Sequence, residues 1–104
     1  MSKEFTAEQR KGMLLAVHNR EGRWDKLDPD TEIKSIGDDI GLSEDESYEL
    51  FKRLVDEGCI DPGRVLGAGG AMPGHTGRVV GREDNMTVIG DDVQLTGKGQ
   101  AETK

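Results

Sequence analysis

The chain has 104 residues, a length at which one domain with one modest core is expected. Hydrophobic residues make up 33% and charged residues 34%, and no run of about 18 apolar residues occurs, so the sequence predicts no membrane span. The net charge of −7 argues against indiscriminate nucleic-acid binding, and the single cysteine excludes a disulfide within the chain and a thiol-rich metal cluster.

The first predicted helix begins at Thr6. Thr6 and Gln9 have the spacing of a capping box, in which each side chain bonds to the other residue's free backbone N–H. Gly22 marks the end of the helical pattern. The apolar positions at helical spacing are Met13, Leu14 and Val17. These features predict an amphipathic helix that packs one face on a core.

Two more helices follow. Asp28-Pro29 is the predicted start of helix 2. A proline fits there, since the backbone N–H that it lacks has no hydrogen-bond partner at the first helical position. After the break at Gly41, Ser43 and Glu46 form a second capping box for helix 3, and Gly58 is its predicted left-handed cap. The predicted buried positions are Ile33, Ile36 and Ile40 in helix 2, and Ser47, Leu50, Phe51, Leu54 and Val55 in helix 3.

From Gly58 onward the composition changes, since eleven of the 15 glycines lie there. The strand candidates are short: CI, RVL, GRVV, MTVI and VQLT. Gly90-Asp91-Asp92 is the predicted hairpin turn between the last two. We therefore predict a single α+β domain with a helical core at about 6–58, a β wing at about 59–99 and a flexible tail at 100–104. Its core residues would be Leu14, Val17, Ile33, Ile36, Leu50, Leu54 and Ile60. The segment from Gly97 is expected to be a frayed or short helical end.

Two phrases carry a resemblance to a known fold: IKSIGDDIGLSEDESYELFKRLVDEGCI, residues 33–60, and VQLTGKG, residues 93–99. In their order, with a Gly-Leu-Ser turn between two helices and a closing LTGKG, they resemble the winged helix-turn-helix superfamily. The resemblance covers roughly residues 6–99 and implies three helices followed by a β-hairpin wing. It says less about function, because this fold serves DNA readers, protein-interaction modules and enzyme subdomains.

The stretch GGAMPGHT, residues 69–76, misses the phosphate-loop pattern G-x-x-x-x-G-K-[ST] by one residue. His75 stands where the pattern requires lysine, and the following GRVV is typical of a strand rather than a helix. We therefore expect no nucleotide or other cofactor, and interpret residues 67–77 as a mobile wing tip or an insertion between wing strands.

The outward side of helix 3 is the first candidate for DNA contact, because the resemblance implies that this helix enters the major groove. Tyr48, Lys52 and Arg53 could contact phosphates or base edges. Glu44, Asp45 and Glu49 would face the same backbone and be repelled. The competing interpretation is structural: acids in a first helical turn favour the helix dipole, and the remaining charges form a solvated face.

A small basic strip is the second candidate. Residues 62–82 carry three arginines, His75 and no acid, whereas residues 30–49 carry eight acids against one base. The strip consists of Arg64, His75, Arg78 and Arg82. The resemblance implies that wing arginines lie on phosphates or in the minor groove. The alternative is scattered solubilising charge.

The residues that could carry catalysis favour other roles. Cys59 begins an apolar stretch and is expected to be a buried small side chain, and His18 is expected at a helix end. Asp38-Asp39 and Asp91-Asp92 are adjacent acids that point in different directions, so no metal site is predicted. We expect no enzyme. The lone thiol and the polar segment MSKEFTAEQRKG, which lacks an export signal, predict a cytoplasmic protein.

The sequence thus supports the hypothesis of a small transcriptional regulator that binds double-stranded DNA through helix 3 and the wing. Regulation would come from a protein partner or from a homodimer formed through helix 1. The alternative is a protein-interaction module that presents its acidic helix 2–helix 3 surface to a basic partner. A third is an acidic mimic that occupies the DNA-binding surface of another protein. The charge around helix 3 separates these hypotheses.

Overall fold

The computed structural model describes residues 4–23, 28–63, 78–81, 86–89 and 93–104. This part of the chain contains four helices: α1 (Ala7–Asn19), α2 (Pro29–Asp39), α3 (Glu44–Asp56) and α4 (Gly97–Glu102). Its strands are β1 (Ile60–Asp61), β2 (Arg78–Val80), β3 (Thr87–Ile89) and β4 (Gln94–Leu95). The predicted α+β layout, three helices followed by a hairpin, is confirmed. No helix in these ranges has the length and apolar character needed to cross a membrane.

The predicted helix boundaries are set by local hydrogen bonds. Thr6 and Ser43 each form both bonds of a capping box, at distances of 2.9–3.2 Å. Asp28 caps α2 by accepting bonds from the backbone N–H and the hydroxyl of Thr31, which lowers the pKa of its carboxyl. Gly58 follows α3 with a φ of 83°, a left-handed conformation that a glycine adopts without strain.

The first three helices enclose the core. All seven core residues predicted from the sequence have at most 1% of their surface exposed. Residues of the later strands, together with the residue that precedes β4, complete the same cluster: Val80, Ile89, Val93 and Leu95. The trihelical arrangement is therefore sealed by the β segments rather than by a fourth long helix.

The α2–α3 crossing is unusually close at one point. Gly37 is buried in α2, and a Cβ atom built on it would overlap the hydroxyl of Ser47 in α3. Ser47 is itself fully buried, and its hydroxyl donates a hydrogen bond of 2.7 Å to the Ser43 carbonyl. The absence of a side chain at Gly37 thus sets how near the two helices approach, and the hydroxyl is satisfied within α3.

The strand pairing differs from the sequence prediction. The hairpin joins β2 to β3, with Val80 opposite Thr87, whereas β4 pairs with β1 and places Leu95 opposite Ile60. A hairpin turn at 90–92 between β3 and β4 is therefore wrong. Strands of two or three residues carry too little alternation to specify a partner. The β1–β4 pair forms where both Ile60 and Leu95 are buried against the helices.

The C-terminal segment also differs from its prediction. A frayed or short helical end was expected from Gly97, with a flexible tail from residue 100, but the helix extends over Gly97–Glu102 and docks at the end of α3. Thr96 caps α4 and donates to the carbonyls of Gly58 and Cys59. The ammonium of Lys98 donates to the Glu57 carbonyl at 2.8 Å. These bonds provide donors for the Glu57 carbonyl at the end of α3 and for the two carbonyls that follow it.

Candidate functional site

Carboxylates outnumber cations on α3. Its acidic residues are Glu44, Asp45, Glu46, Glu49 and Asp56, and its two bases are Lys52 and Arg53. Three of the acids occupy the first turn, where they favour the positive end of the helix dipole. The helix that was predicted to enter a DNA groove therefore carries a net negative charge.

Both cations of α3 bind carboxylates of the same helix. The ammonium of Lys52 lies 2.7 Å from Asp56 Oδ2, and Arg53 Nη2 lies 3.1 Å from Glu49 Oε2. The guanidinium of Arg53 also stacks over the ring of Phe5, 5.1 Å from its centroid. A phosphate would have to replace these contacts. Because such surface pairs contribute about 0–1 kcal/mol each, replacement is feasible, but the cations do not form a preassembled phosphate site.

Tyr48 does not face outward, and this part of the sequence prediction is wrong. Only 4% of its surface is exposed. Tyr48, Phe51 and Val55 lie at i, i+3 and i+7, so they share a side of the helix, and the buried arc of α3 is wider than a single stripe. Tyr48 therefore belongs to the core and is not placed to touch a DNA groove.

The basic strip is described only in part. Arg64, His75 and Arg82 lie outside the described residues. The backbone of Arg78 lies in β2, opposite Ile89, which places it on the hairpin as expected of a wing arginine. The stretch at 69–76 that approaches the phosphate-loop pattern and the predicted mobile tip at 67–77 also lie outside the described residues. A role for these residues in DNA binding stays a prediction.

Four exposed carboxylates lie at one end of the α2–α3 pair. Asp38 and Asp39 end α2, and Glu44 and Asp45 begin α3 after a short turn. The turn is closed by a 2.8 Å hydrogen bond from the Leu42 N–H to the Gly37 carbonyl. We call these residues the acidic end: Asp38, Asp39, Glu44 and Asp45. The nearby ammonium of Lys34 lies 3.9 Å from Glu44 Oε1.

Helix stability accounts for two of the four carboxylates of the acidic end. Glu44 and Asp45 lie in a first helical turn, where a negative charge is favourable. Asp38 and Asp39 lie in the last turn of α2, where it is unfavourable, and that turn contains no base. These two aspartates oppose the dipole of their own helix, so capping and dipole effects do not account for them.

A second charged cluster joins three parts of the fold and was missed in the sequence. Arg10 of α1 binds Glu102 of α4 through Nε and Nη2, at 2.7 and 3.0 Å. Its Nη2 and Nη1 also donate to Glu57, at 2.6 and 3.3 Å. The two carboxylates raise the Arg10 pKa, and the guanidinium lowers the pKa of both Glu102 and Glu57.

The sequence contained one sign of this cluster. Arg10 precedes Met13 and Leu14 by three and four residues, so it lies on the buried face of α1, where a cation needs a partner. Nothing local identifies that partner, because Glu57 and Glu102 are far along the chain. The cluster fixes α4 against α1 and the end of α3.

Cys59 and His18, the thiol and the histidine that could have served in catalysis, both make contacts that fit structural roles. Cys59 is fully buried, and its Sγ lies 3.6 Å from Glu102 Oε1. Burial raises the pKa of the Cys59 thiol, and the nearby Glu102 carboxylate raises it further. His18 Nδ1 lies 3.2 Å from Glu21 Oε2, and the same oxygen accepts the Leu95 N–H. A thiol held in its neutral form is a poor nucleophile. The described ranges contain no group of three His, Cys, Asp or Glu residues that could hold a metal ion.

Comparisons with protein-family models, with curated proteins and with solved structures give no significant match. Membership of the winged helix-turn-helix superfamily thus stays a prediction that rests on the quoted phrases. The helix order, the β2–β3 hairpin and the β1–β4 pair are compatible with that prediction.

Proposed function

We propose that this protein is a non-enzymatic protein-interaction module that presents the acidic end of its α2–α3 pair to a basic partner. The observation that carries the proposal is the placement of Asp38 and Asp39. They are exposed, they oppose the dipole of α2, and they lie beside the acidic first turn of α3. A charge arrangement that costs helix stability is better explained by a partner than by the fold.

The charges of α2 and α3 favour a protein-interaction module over a DNA-binding protein. Between Pro29 and Asp56 the chain has nine acids and three bases. Each of the three bases lies within 4 Å of a carboxylate. Like charges facing a phosphate backbone weaken association, whereas complementary charge steers a basic partner to the surface. The proposal includes a cytoplasmic location, in keeping with a lone cysteine that is free and buried.

The test is an amide-resolved NMR titration with a lysine-rich peptide at low and moderate salt. The variant Asp38→Asn/Asp39→Asn removes two charges from the acidic end. Its matched control, Glu4→Gln/Glu8→Gln, removes two charges from exposed positions before and in the first turn of α1. We expect shifts centred on the acidic end, and we expect the aspartate variant to weaken binding several times more than the control does.

The same titration decides between the hypotheses. Equal weakening by both variants means that the peptide senses only net charge, and the proposal fails. A second titration uses a short random-sequence DNA duplex. Duplex binding at low salt with shifts at Lys52, Arg53 and Arg78 would establish DNA binding instead, with a salt slope of about −0.9 for each phosphate neutralised.

A further inference from the structure

The attachment of α4 is almost entirely polar. Of its six residues only Gly99 is buried, and Ala101, its one apolar side chain, is exposed. Its other contacts with the described residues are hydrogen bonds and ion pairs made by Thr96, Lys98 and Glu102. The rest of the fold is held by buried apolar side chains, so α4 is attached by a different kind of interaction.

This segment covers the single thiol of the chain. A Cβ atom built on Gly99 would overlap the Cys59 carbonyl, so the α4 backbone lies directly against residue 59. Glu102 contacts the Cys59 sulfur from the same helix, at 3.6 Å. Cys59 has no exposed surface while α4 is docked.

A helix of six residues is not stable alone, because helix nucleation costs more than so few hydrogen bonds return. It persists here through its docking contacts. Segments with few buried apolar contacts open locally at a lower free energy than the core. If the polar contacts break, α4 loses both its position and its helical structure, while α1, α2 and α3 keep theirs.

We propose that residues 96–102 form a clasp that opens as a unit while the three-helix core stays folded, that the Arg10–Glu102 ion pair holds it shut, and that opening uncovers Cys59. The inference does not depend on the proposed function, because it concerns the opposite end of α3. It gives the chain a conformational switch that charge, salt and pH can move and that ends in an accessible thiol.

The charged groups around the Arg10–Glu102 ion pair determine the pH range in which the clasp stays shut. Glu102 faces Arg10 from α1, Glu57 from the end of α3, the Cys59 thiol and Lys98 of its own helix. The pKa values of Glu102 and Glu57 are lowered in the folded protein, so their stabilising effect is present above the ordinary carboxyl pKa and is lost as pH falls through the lowered values. The Cys59 pKa is raised, so its stabilising effect is lost at alkaline pH. The clasp is therefore most firmly shut near neutral pH.

The experiment measures the rate at which a thiol reagent labels Cys59 in the full chain at neutral pH, over a range of urea below the unfolding transition. The test variants are Glu102→Gln, which removes the charge and keeps the shape, and Arg10→Gln, which removes the shared cation. The control, Glu44→Gln, removes one carboxylate from an exposed ion pair with Lys34 at the opposite end of α3. Circular dichroism under urea gives global stability for each variant.

We expect Glu102→Gln to speed labelling about tenfold, Arg10→Gln at least as much, and Glu44→Gln not at all. Wild-type labelling should depend on urea much less steeply than global unfolding does, because opening the clasp exposes little surface. The proposal is overturned if Glu102→Gln labels at the wild-type rate. It is also overturned if labelling in every variant follows the global unfolding equilibrium, since Cys59 would then be exposed only when the whole chain unfolds.

Discussion

The α2–α3 crossing and the α4 docking site use the same device with different surroundings. In each, a glycine lets two segments approach more closely than a side chain would allow: Gly37 against Ser47, and Gly99 against the Cys59 carbonyl. Around Gly37 lie fully buried apolar residues, whereas around Gly99 lie ion pairs and hydrogen bonds to carbonyls.

The difference indicates which part of the molecule responds to conditions. Apolar burial is insensitive to salt at moderate concentrations and to pH, so the α2–α3 crossing should stay fixed across the physiological range. Contacts between partly exposed charges weaken with salt and with protonation. A glycine thus permits a close approach in both places, but we expect only the α2–α3 crossing to stay rigid when salt and pH change moderately.

The largest expected effect is on the apolar side of the comparison. Leu54→Ala should lower the free energy of unfolding by about 2–5 kcal/mol, because Leu54 is fully buried in the core and the truncation leaves a cavity. Urea denaturation followed by circular dichroism measures it. As a control, Leu15→Ala removes a side chain that is 41% exposed and should cost far less. Similar costs for the two leucines would contradict the assigned core.

The next effect tests the close approach itself. Gly37→Ala should destabilise the fold by about 1–3 kcal/mol, because the new methyl group overlaps Ser47 and pushes the helices apart. Gly97→Ala is the matched control, since a Cβ atom there meets no atom within 4 Å. Thermal and urea unfolding of both variants provide the comparison. A Gly37→Ala protein as stable as the control would show that the crossing is not limited by this contact.

A smaller pair of effects compares the two kinds of helix cap. Ser43→Ala removes half of the α3 capping box and should lower global stability by about 0.5–2 kcal/mol. Thr96→Ala removes the α4 cap, and its main effect should be faster hydrogen exchange at the α4 amides, with less change in global stability. Hydrogen exchange measured by NMR reports the local opening of α4, and urea denaturation reports the global stability of each variant. Equal global losses would mean that α4 unfolds with the core.

The smallest effect concerns the exposed charges of α3. Lys52→Ala breaks the pair with Asp56, where both side chains are at least 36% exposed, and should change stability by no more than about 0.5 kcal/mol. Glu49→Ala, which breaks the partly buried pair with Arg53, should cost somewhat more. Urea unfolding at low and high salt measures both. A large salt-dependent loss for Lys52→Ala would show that the outer face of α3 is part of the stable core.

Features with a local cause could be read from the sequence. The caps at Thr6 and Ser43 depend on residues three positions apart, and the left-handed Gly58 follows from the end of a helical pattern. The burial of Tyr48 could not be read in this way, because the width of a buried arc depends on what packs against it. The acidic charge of the α2–α3 region was visible, but its opposition to the α2 dipole required the helix boundary at Asp39.

Features that join distant parts of the chain escaped the sequence. The β1–β4 pair and the Arg10–Glu102 contact connect segments with no shared pattern, and each strand has only two residues to specify its register. The docking of α4 was missed for the same reason: the sequence indicates a frayed or short helical end from Gly97, but its partner Arg10 lies far away along the chain. Tertiary contact, rather than intrinsic propensity, supplies this part of the structure.

The pairing of β1 with β4 also has a consequence for how the chain folds and changes in length. Residues 61–94 separate Ile60 from Leu95, so the contact closes a long loop, whereas the three helices meet through short connections. We expect the helices to assemble first and the loop to close late. Since doubling a loop adds only about 0.6 kcal/mol of closure entropy, insertions or deletions between β1 and β2 should cost little stability.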